Sequence, residues 1–321
     1  MIKAGIDLGA GSIRVVTEDD GVVFDEASMI AIDEKGNCLA YGNEALEMKG
    51  VADPQVRVLS PMQDGRLDFE LLGKLFDQLF YQLKLFRMFQ KTVLVLSYPS
   101  GLDSRDVEQL KEQLLQMGAW KVYSDQEIWV SAIGAGLDVS LPVSSCVLNM
   151  GGRSCDIAVF SRGVIQKQDK SADAGLRVKN AIRRWLHDNR RMAVSQMTLE
   201  RICRSLGSVV PRPNPRQMEI TGVSTTDRTA RREIITENDV AQALGPLCEE
   251  WALWIARFLQ DLDPHQQDDV RMRGIVSCGG TMKLAGLSNY LQSVLNCPVY
   301  VTEDPTMTVT DGLSILLTRM E

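Results

Sequence analysis

Ala4-Gly5-Ile6-Asp7-Leu8-Gly9-Ala10 and Cys146-Val147-Leu148-Asn149-Met150-Gly151-Gly152 share one shape. Each is a run of strand-forming residues that carries one polar side chain and ends in glycine. The likeness extends past the glycines. Asp7 to Gly21 spans 14 residues, as does Asn149 to Gly163, and each glycine precedes an apolar pair, Val22-Val23 or Val164-Ile165. Two copies of a β-hairpin unit about 140 residues apart point to a duplicated α/β architecture.

Outward from these hairpins the pattern alternates strands and helices. Gly21–Phe24 reads as a third strand and Ser28–Asp33 as a fourth, closed by a turn at Lys35-Gly36-Asn37. Leu71, Leu72, Leu75, Phe76, Leu79, Phe80 and Leu83 recur at helical spacing. A buried strand at Thr92–Leu96, a helix at Ser104–Met117 ended by Gly118, and a helical stretch at Ile128–Gly136 follow. The second half offers helices near Gly175–Asp188 and Thr198–Leu206 and a polar hairpin at Met218–Ile235. Thr236 with Asp239 has the spacing of a cap for a long helix reaching Leu262. Ile275–Cys278 is a strand entering the turn Gly279-Gly280-Thr281. Pro298–Val301 and Val309–Thr318 are the last strand and helix.

Composition narrows the function classes. A net charge of −7 over 321 residues is unlike a general nucleic-acid binder, so none is expected as a partner. Seven cysteines without a CxxC pair, and no signal-peptide pattern, read as reduced thiols in a cytoplasm. The two histidines, His187 and His265, lack metal-ligand spacing. No apolar run approaches the roughly 20 residues that span a bilayer, so membrane contact would be peripheral.

The hairpins suggest chemistry. Tight glycine turns present rows of backbone N–H groups to phosphates, because no Cβ blocks the approach. A carboxylate at a strand end, Asp7, suits Mg²⁺ held through water. Gly279-Gly280-Thr281 is a third turn, placed to meet a sugar or base. Together in a duplicated chain they favour a nucleotide between two halves.

Gly5-Ile6-Asp7-Leu8-Gly9, Val122-Tyr123 with Ile133–Leu137, Met150-Gly151-Gly152, Gly274-Ile275-Val276 with Gly279-Gly280, and Pro298–Val301 with Glu303-Asp304-Pro305 resemble the MreB family of bacterial actins. Smaller matches lie at Gly42–Ala45 and at Pro61 with Asp64-Gly65. The resemblance implies an actin-like α/β fold of the sugar kinase/Hsp70/actin type, with two duplicated domains. The first would cover 1–136 with a smaller subdomain at about 28–60. The second would cover 137–321 with one at about 177–250. It further implies ATP or ADP with Mg²⁺, head-to-tail homopolymers, and a cytoplasmic place at the inner face of the cell membrane. Partners would be cell-shape membrane proteins of the MreC, MreD and RodZ type.

Carried across by residue, Asp7, Gly9, Ala10 and Gly11 match the first phosphate loop, and Asn149, Gly151, Gly152 and Arg153 the second. Gly279, Gly280 and Thr281 match the adenosine turn. Glu127 falls where the family keeps the acid that orients the attacking water. Arg14 is either a cationic phosphate contact or an exposed strand-edge arginine. Four departures stand out. Asn149 replaces an aspartate, Arg153 a glycine, Gln126 a second acid, and Cys203 a lysine near the base. An amide brings no negative charge, so the resemblance implies nucleotide binding with at most slow hydrolysis.

Leu85-Phe86-Arg87-Met88-Phe89 corresponds to an apolar membrane-inserting loop in the family. Leu85, Phe86, Met88 and Phe89 are therefore expected at an anionic membrane surface, the alternative being the first domain's core. Two other classes share the superfold, small-molecule kinases and chaperone-like or reactivating ATPases. A kinase normally needs a longer chain, and a chaperone a dedicated substrate domain.

Overall fold

The computed structural model describes residues 1–49, 53–63, 66–172 and 174–320, with the side chains of Gln63 and Ala172 excepted. The match at Asp64-Gly65 lies outside the described residues. The chain divides into two compact units, Met1–Asp138 with Met307–Glu321, and Val139–Thr306.

In the first unit, β1 (Ile2–Leu8), β2 (Ser12–Thr17) and β3 (Gly21–Ala27) form an antiparallel meander. After β4 (Ile30–Ile32), β5 (Cys38–Tyr41), α1 (Gly42–Met48), β6 (Arg57–Leu59), β7 (Met62–Gln63) and β8 (Arg66–Leu67) comes helix α2 (Phe69–Leu83). Then β9 (Thr92–Tyr98), α3 (Ser104–Gln116), β10 (Lys121–Gln126) and α4 (Glu127–Gly134) follow. The main sheet runs β10-β9-β1-β2-β3, with β9 parallel to β1 and β10. Strands β5, β4 and β6 make a separate three-stranded sheet.

The second unit repeats this plan. β11 (Ser145–Met150), β12 (Ser154–Ser161) and β13 (Val164–Ala172) are the antiparallel meander. Helix α5 (Ala174–Arg190), β14 (Met192–Ala193), α6 (Gln196–Leu206), β15 (Gln217–Ser224), β16 (Ala230–Thr236), α7 (Glu237–Gln260) and α8 (Pro264–Arg273) lead to β17 (Ile275–Cys278). One 3-10 turn at Gly280–Lys283, α9 (Leu287–Leu295) and β18 (Val299–Val301) complete it. Its sheet runs β13-β12-β11-β17-β18, again with two parallel strands on the far side of the first hairpin. The repeat seen between residues 4–23 and 146–165 is thus a repeat of whole sheets.

Local chemistry accounts for the helices. Asp68 accepts the Leu71 N–H at 3.0 Å to start α2, and all six apolar residues from Leu71 to Phe80 are buried. Thr236 and Asp239 form a reciprocal capping box at α7, with contacts of 2.8 and 3.2 Å. That helix carries Trp251 into the second unit's core with no exposed surface.

The sequence division at 136/137 leaves out one element. Helix α10 (Thr308–Thr318) belongs with the first unit, where Val309, Leu313 and Leu317 pack on Val16, Val95 and Val130. The approach is backbone-close. A Cβ on Gly134 would lie 1.8 Å from the Thr308 carbonyl oxygen, and one on Gly312 would lie 2.1 Å from that of Val130. Nothing in the local pattern of α10 names its docking site, because the glycines that admit it sit more than 170 residues apart.

The 85–89 segment divides. Leu85 is 2% exposed and its carbonyl accepts the Thr92 hydroxyl at 2.6 Å. Phe86 packs edge-on against Phe80 at 5.1 Å. Both belong to the first unit's core, which corrects their expected membrane placement. Met88 and Phe89 are 85% and 98% exposed.

Candidate functional site

Strand alternation decides which side chains meet. On β1, Ala4, Ile6 and Leu8 face the α2 side of the core, so Gly5 and Asp7 face the opposite side, where α4 and α10 pack. Asp7 sits in register with Ser97 on β9 and with Arg14 on β2. Glu127, first residue of α4, arrives on that same face. Asp7 is 4% exposed and Glu127 9%.

Charge is concentrated there. Arg14 Nη1 lies 3.3 Å from Asp7 Oδ2, and its Nε lies 2.8 Å from Asp25 Oδ1. Burial, with the Glu127 charge added, pushes the Asp7 carboxyl up to about 7, and Arg14 pulls it back only partly. Arg14 is therefore neither an exposed edge residue nor a free cation. It is a half-buried partner of two carboxylates.

One residue that sequence reasoning missed, Ser97, completes this corner. Ser97 is fully buried and its hydroxyl has no hydrogen-bond partner, whereas Gln126 stands in register with Tyr98, one place on, so strand alternation puts it on the face opposite Asp7. A buried hydroxyl without a partner, next to a carboxylate at a glycine turn, fits a site that receives a hydrated cation or phosphate oxygens. Ser97 carries no signal of its own in the sequence. Only the parallel register with β1 brings it to Asp7.

The second unit builds the matching turn. Gly151 N–H donates to the Ser154 carbonyl at 2.8 Å, and α5 closes on the turn through Gly175 and Leu176 N–H donors to the carbonyls of Gly151 and Gly152. Thr281 donates its hydroxyl to the Gly151 carbonyl at 3.0 Å, which joins the third turn to the second. Gly279 has φ +89°, and a Cβ there would lie 2.4 Å from Met150 backbone atoms and 2.6 Å from Asn149 Oδ1. Only glycine fits that crossing.

Asn149 is 1% exposed and stands in register with Asp156, which is 2% exposed. The missing aspartate of this loop thus has a buried carboxylate one strand away. The sequence signal was available, since the seven-residue offset is the one between Asp7 and Arg14. Cys203 lies half-buried against the second unit's core, and burial lifts its thiol to about 11. It supplies no charge in place of a lysine.

Gly11 and Gly152 each lie in one of the two turns, one place apart in the repeat: Gly11 corresponds to Arg153, and Gly152 to Ala10. Both are exposed, and an added Cβ at either would meet no protein atom within 4 Å. Packing within the protein does not require glycine at these places, whereas a ligand lying on the turn does. Ala10 and Gly9 line the first turn and Arg153 the second, all half-buried, while Gly280 is exposed at the third. Among the described residues no group of three or more His, Cys, Asp or Glu forms a self-sufficient metal site. A cation at Asp7 would draw its other ligands from water and phosphate.

The duplicated sheets, with glycine turns at matching strand ends, are the actin-like arrangement. Residues 1–321 match the MreB/Mbl protein family. The chain belongs to that family. It is 28% identical over 319 residues to the cell shape-determining protein Mbl of Bacillus subtilis (strain 168), covering 99% of this chain and 96% of that one. The cell shape-determining protein MreB of Escherichia coli (strain K12) is 28% identical over 314 residues, covering 96% and 90%. A crystal structure of MreB5 of Spiroplasma citri bound to AMPPNP superposes with a TM-score of 0.92 at 26% identity, over 98% of this chain and 95% of that one. The same relative has been solved with ADP.

Proposed function

We propose that this MreB/Mbl-family chain binds ATP and ADP with Mg²⁺ and assembles into nucleotide-controlled filaments that organise cell shape or wall synthesis. The observation that carries the reading is that the first hairpin of each duplicated sheet closes in a turn with an open glycine, Gly11 in one and Gly152 in the other. The two turns join the first two strands of the two duplicated sheets. Relatives of this family are cell shape-determining proteins, and one was solved with AMPPNP and with ADP.

In this reading the N–H groups of Gly9–Gly11 and Gly151–Arg153 bind phosphate oxygens. Asp7 is the residue that would hold Mg²⁺, with Ser97 offering a hydroxyl to its water shell. The cation would supply charge neutralisation on the phosphates. Arg14 holds Asp7 in place and offsets its charge before a cation enters. Glu127 orients water for a slow ATP hydrolysis, and Gly279, Gly280 and Thr281 contact the adenosine. Met88 and Phe89 are the two side chains left to touch an anionic membrane at the inner face of the cell membrane. Membrane partners of the MreC, MreD and RodZ type belong to the same proposal. No described helix is long and apolar enough to cross a membrane.

Calorimetric titration of ATP, ADP and AMPPNP, with and without Mg²⁺, tests the binding. Negative-stain imaging with ATP tests the assembly. Absence of binding by every adenine nucleotide sinks the first part, and a chain that stays monomeric with bound nucleotide sinks the second.

A further inference from the structure

The charge of this chain is sharply divided along its length. Residues 174–236, from α5 to β16, hold thirteen Arg and Lys against five Asp and Glu. The other residues therefore carry a net −15 within a total of −7. The first unit alone has twenty-four acidic residues against fourteen basic ones. The basic side chains are also of one kind. Twelve of the thirteen are arginine, whereas arginine and lysine are equal in number elsewhere. Arginine presents a planar fork that binds carboxylates in pairs, and its charge does not titrate.

Among the described residues, six of the thirteen basic side chains pair with a carboxylate of the same chain and seven do not. Arg216 pairs with Glu237 at 2.6 Å and Arg190 with Asp239 at 3.3 Å. Among the described residues, Arg184, Arg191, Arg204, Arg212 and Arg228 are exposed with no carboxylate within 4 Å. Two of them are gathered at one corner, where the Thr225 N–H donates to the Arg191 carbonyl at 2.8 Å and ties the end of α5 to the turn carrying Arg228. Both adopt positive φ, +50° and +61°, a conformation that an arginine enters at some cost. Strand β16 is the edge of the β14-β15-β16 sheet, so Arg231 and Arg232 have a sufficient role in blocking edge-to-edge pairing. That role does not extend to the arginines of α5, α6 and residue 212, which lie off the edge.

We infer that the arginine-rich 174–236 surface of one molecule docks on the carboxylate-rich surface of a second copy. It would make the contact between copies electrostatic and sensitive to salt. The inference rests on the proposed assembly and names the force that drives it. The partner is a second copy because the complementary charge is present in excess on the same chain.

The test measures pelleting of the full chain with ATP and Mg²⁺ from 50 to 500 mM KCl, a range over which exposed charges become screened. The wild type is compared with Arg191→Glu/Arg228→Glu and Arg204→Glu/Arg212→Glu, each checked for cooperative melting and nucleotide affinity. Expected is a critical concentration that rises several-fold with salt in the wild type, and a similar rise at 50 mM KCl in at least one pair that still melts cooperatively and binds nucleotide. If both pairs assemble like the wild type at every salt, the inference is overturned. If they assemble normally but lose binding to phosphatidylglycerol vesicles, it is also overturned, and the arginines serve a membrane. A wild type that never assembles overturns the filament reading and this inference together, whereas salt-insensitive assembly overturns this inference alone.

Discussion

Arg14 faces Asp7 across the first hairpin, Nη1 3.3 Å from Oδ2, and turns its Nε to Asp25 at 2.8 Å. A cation is thus already built in beside the carboxylate proposed to meet a metal ion. It offsets part of the cost of burying Asp7, and burial still wins.

A pH dependence follows. The Asp7 carboxyl titrates at about 7 in the folded chain against an ordinary 3.8. Between those values the folded state holds the extra proton, so this group's contribution is present at low pH and is lost as pH rises through about 7. The slope is at most about 1.4 kcal/mol per pH unit. The melting temperature in EDTA, without nucleotide, should fall more steeply from pH 5.5 to 8 in the wild type than in Asp7→Asn. Equal slopes would show that Asp7 ionises normally.

Glu127 is held at the first turn of α4, on the same sheet face as Asp7. If it orients water, Glu127→Ala should lower phosphate release by about 10²–10⁴ while leaving nucleotide affinity within a few-fold. Single-turnover release from a pre-formed complex separates the two effects. Unchanged release would remove Glu127 from the reaction.

How much of this was legible beforehand depends on the kind of interaction. Asp7, Gly9, Gly151 and Gly279 could be read because hairpins and turns are local and glycine is demanded by backbone geometry. The long helix α7 announced its start through Thr236 and Asp239, three residues apart. Ser97 and the α4–α10 contact could not be read. Both arise where strands or helices distant in sequence come together, and serine or glycine in isolation has many ordinary reasons to be present. Asp156 stood in plain view at the offset already noted for Arg14, and repeating the hairpin comparison one strand further would have found it.

The α4–α10 contact gives a stability prediction. Gly134→Ala would place a methyl group 1.8 Å from the Thr308 carbonyl oxygen, where no rotamer can move it away. Overpacking of this kind typically costs about 1–3 kcal/mol, and more when backbone must shift. Gly136→Ala is a control of the opposite sort. It has open space around it, yet a φ of +74° that alanine resists, so it should cost about 1 kcal/mol through conformation alone. Urea melts should rank wild type, Gly136→Ala and Gly134→Ala in falling order. A Gly134→Ala protein as stable as the wild type would mean that α10 does not pack at backbone distance.

The split of residues 85–89 allows membrane and core roles to be separated in one experiment. Leu85 and Phe86 are packed, so Leu85→Ser should destabilise the fold by about 2–5 kcal/mol, in the range of large-to-small core substitutions. Met88 and Phe89 touch little, and Met88→Ser/Phe89→Ser should leave the melting temperature nearly unchanged. Phe89 also holds a φ of +65°, which serine tolerates about as poorly, so backbone strain is not relieved by the exchange. Full burial of two such side chains would contribute about 3–6 kcal/mol, less for shallow insertion, which is weak for one molecule and cumulative along an assembly. Co-sedimentation with phosphatidylglycerol vesicles should therefore fall in the double variant while nucleotide binding and assembly persist. If vesicle binding survives, Met88 and Phe89 are not the membrane contact. If the double variant melts as early as Leu85→Ser, their exposure does not reflect the protein in solution.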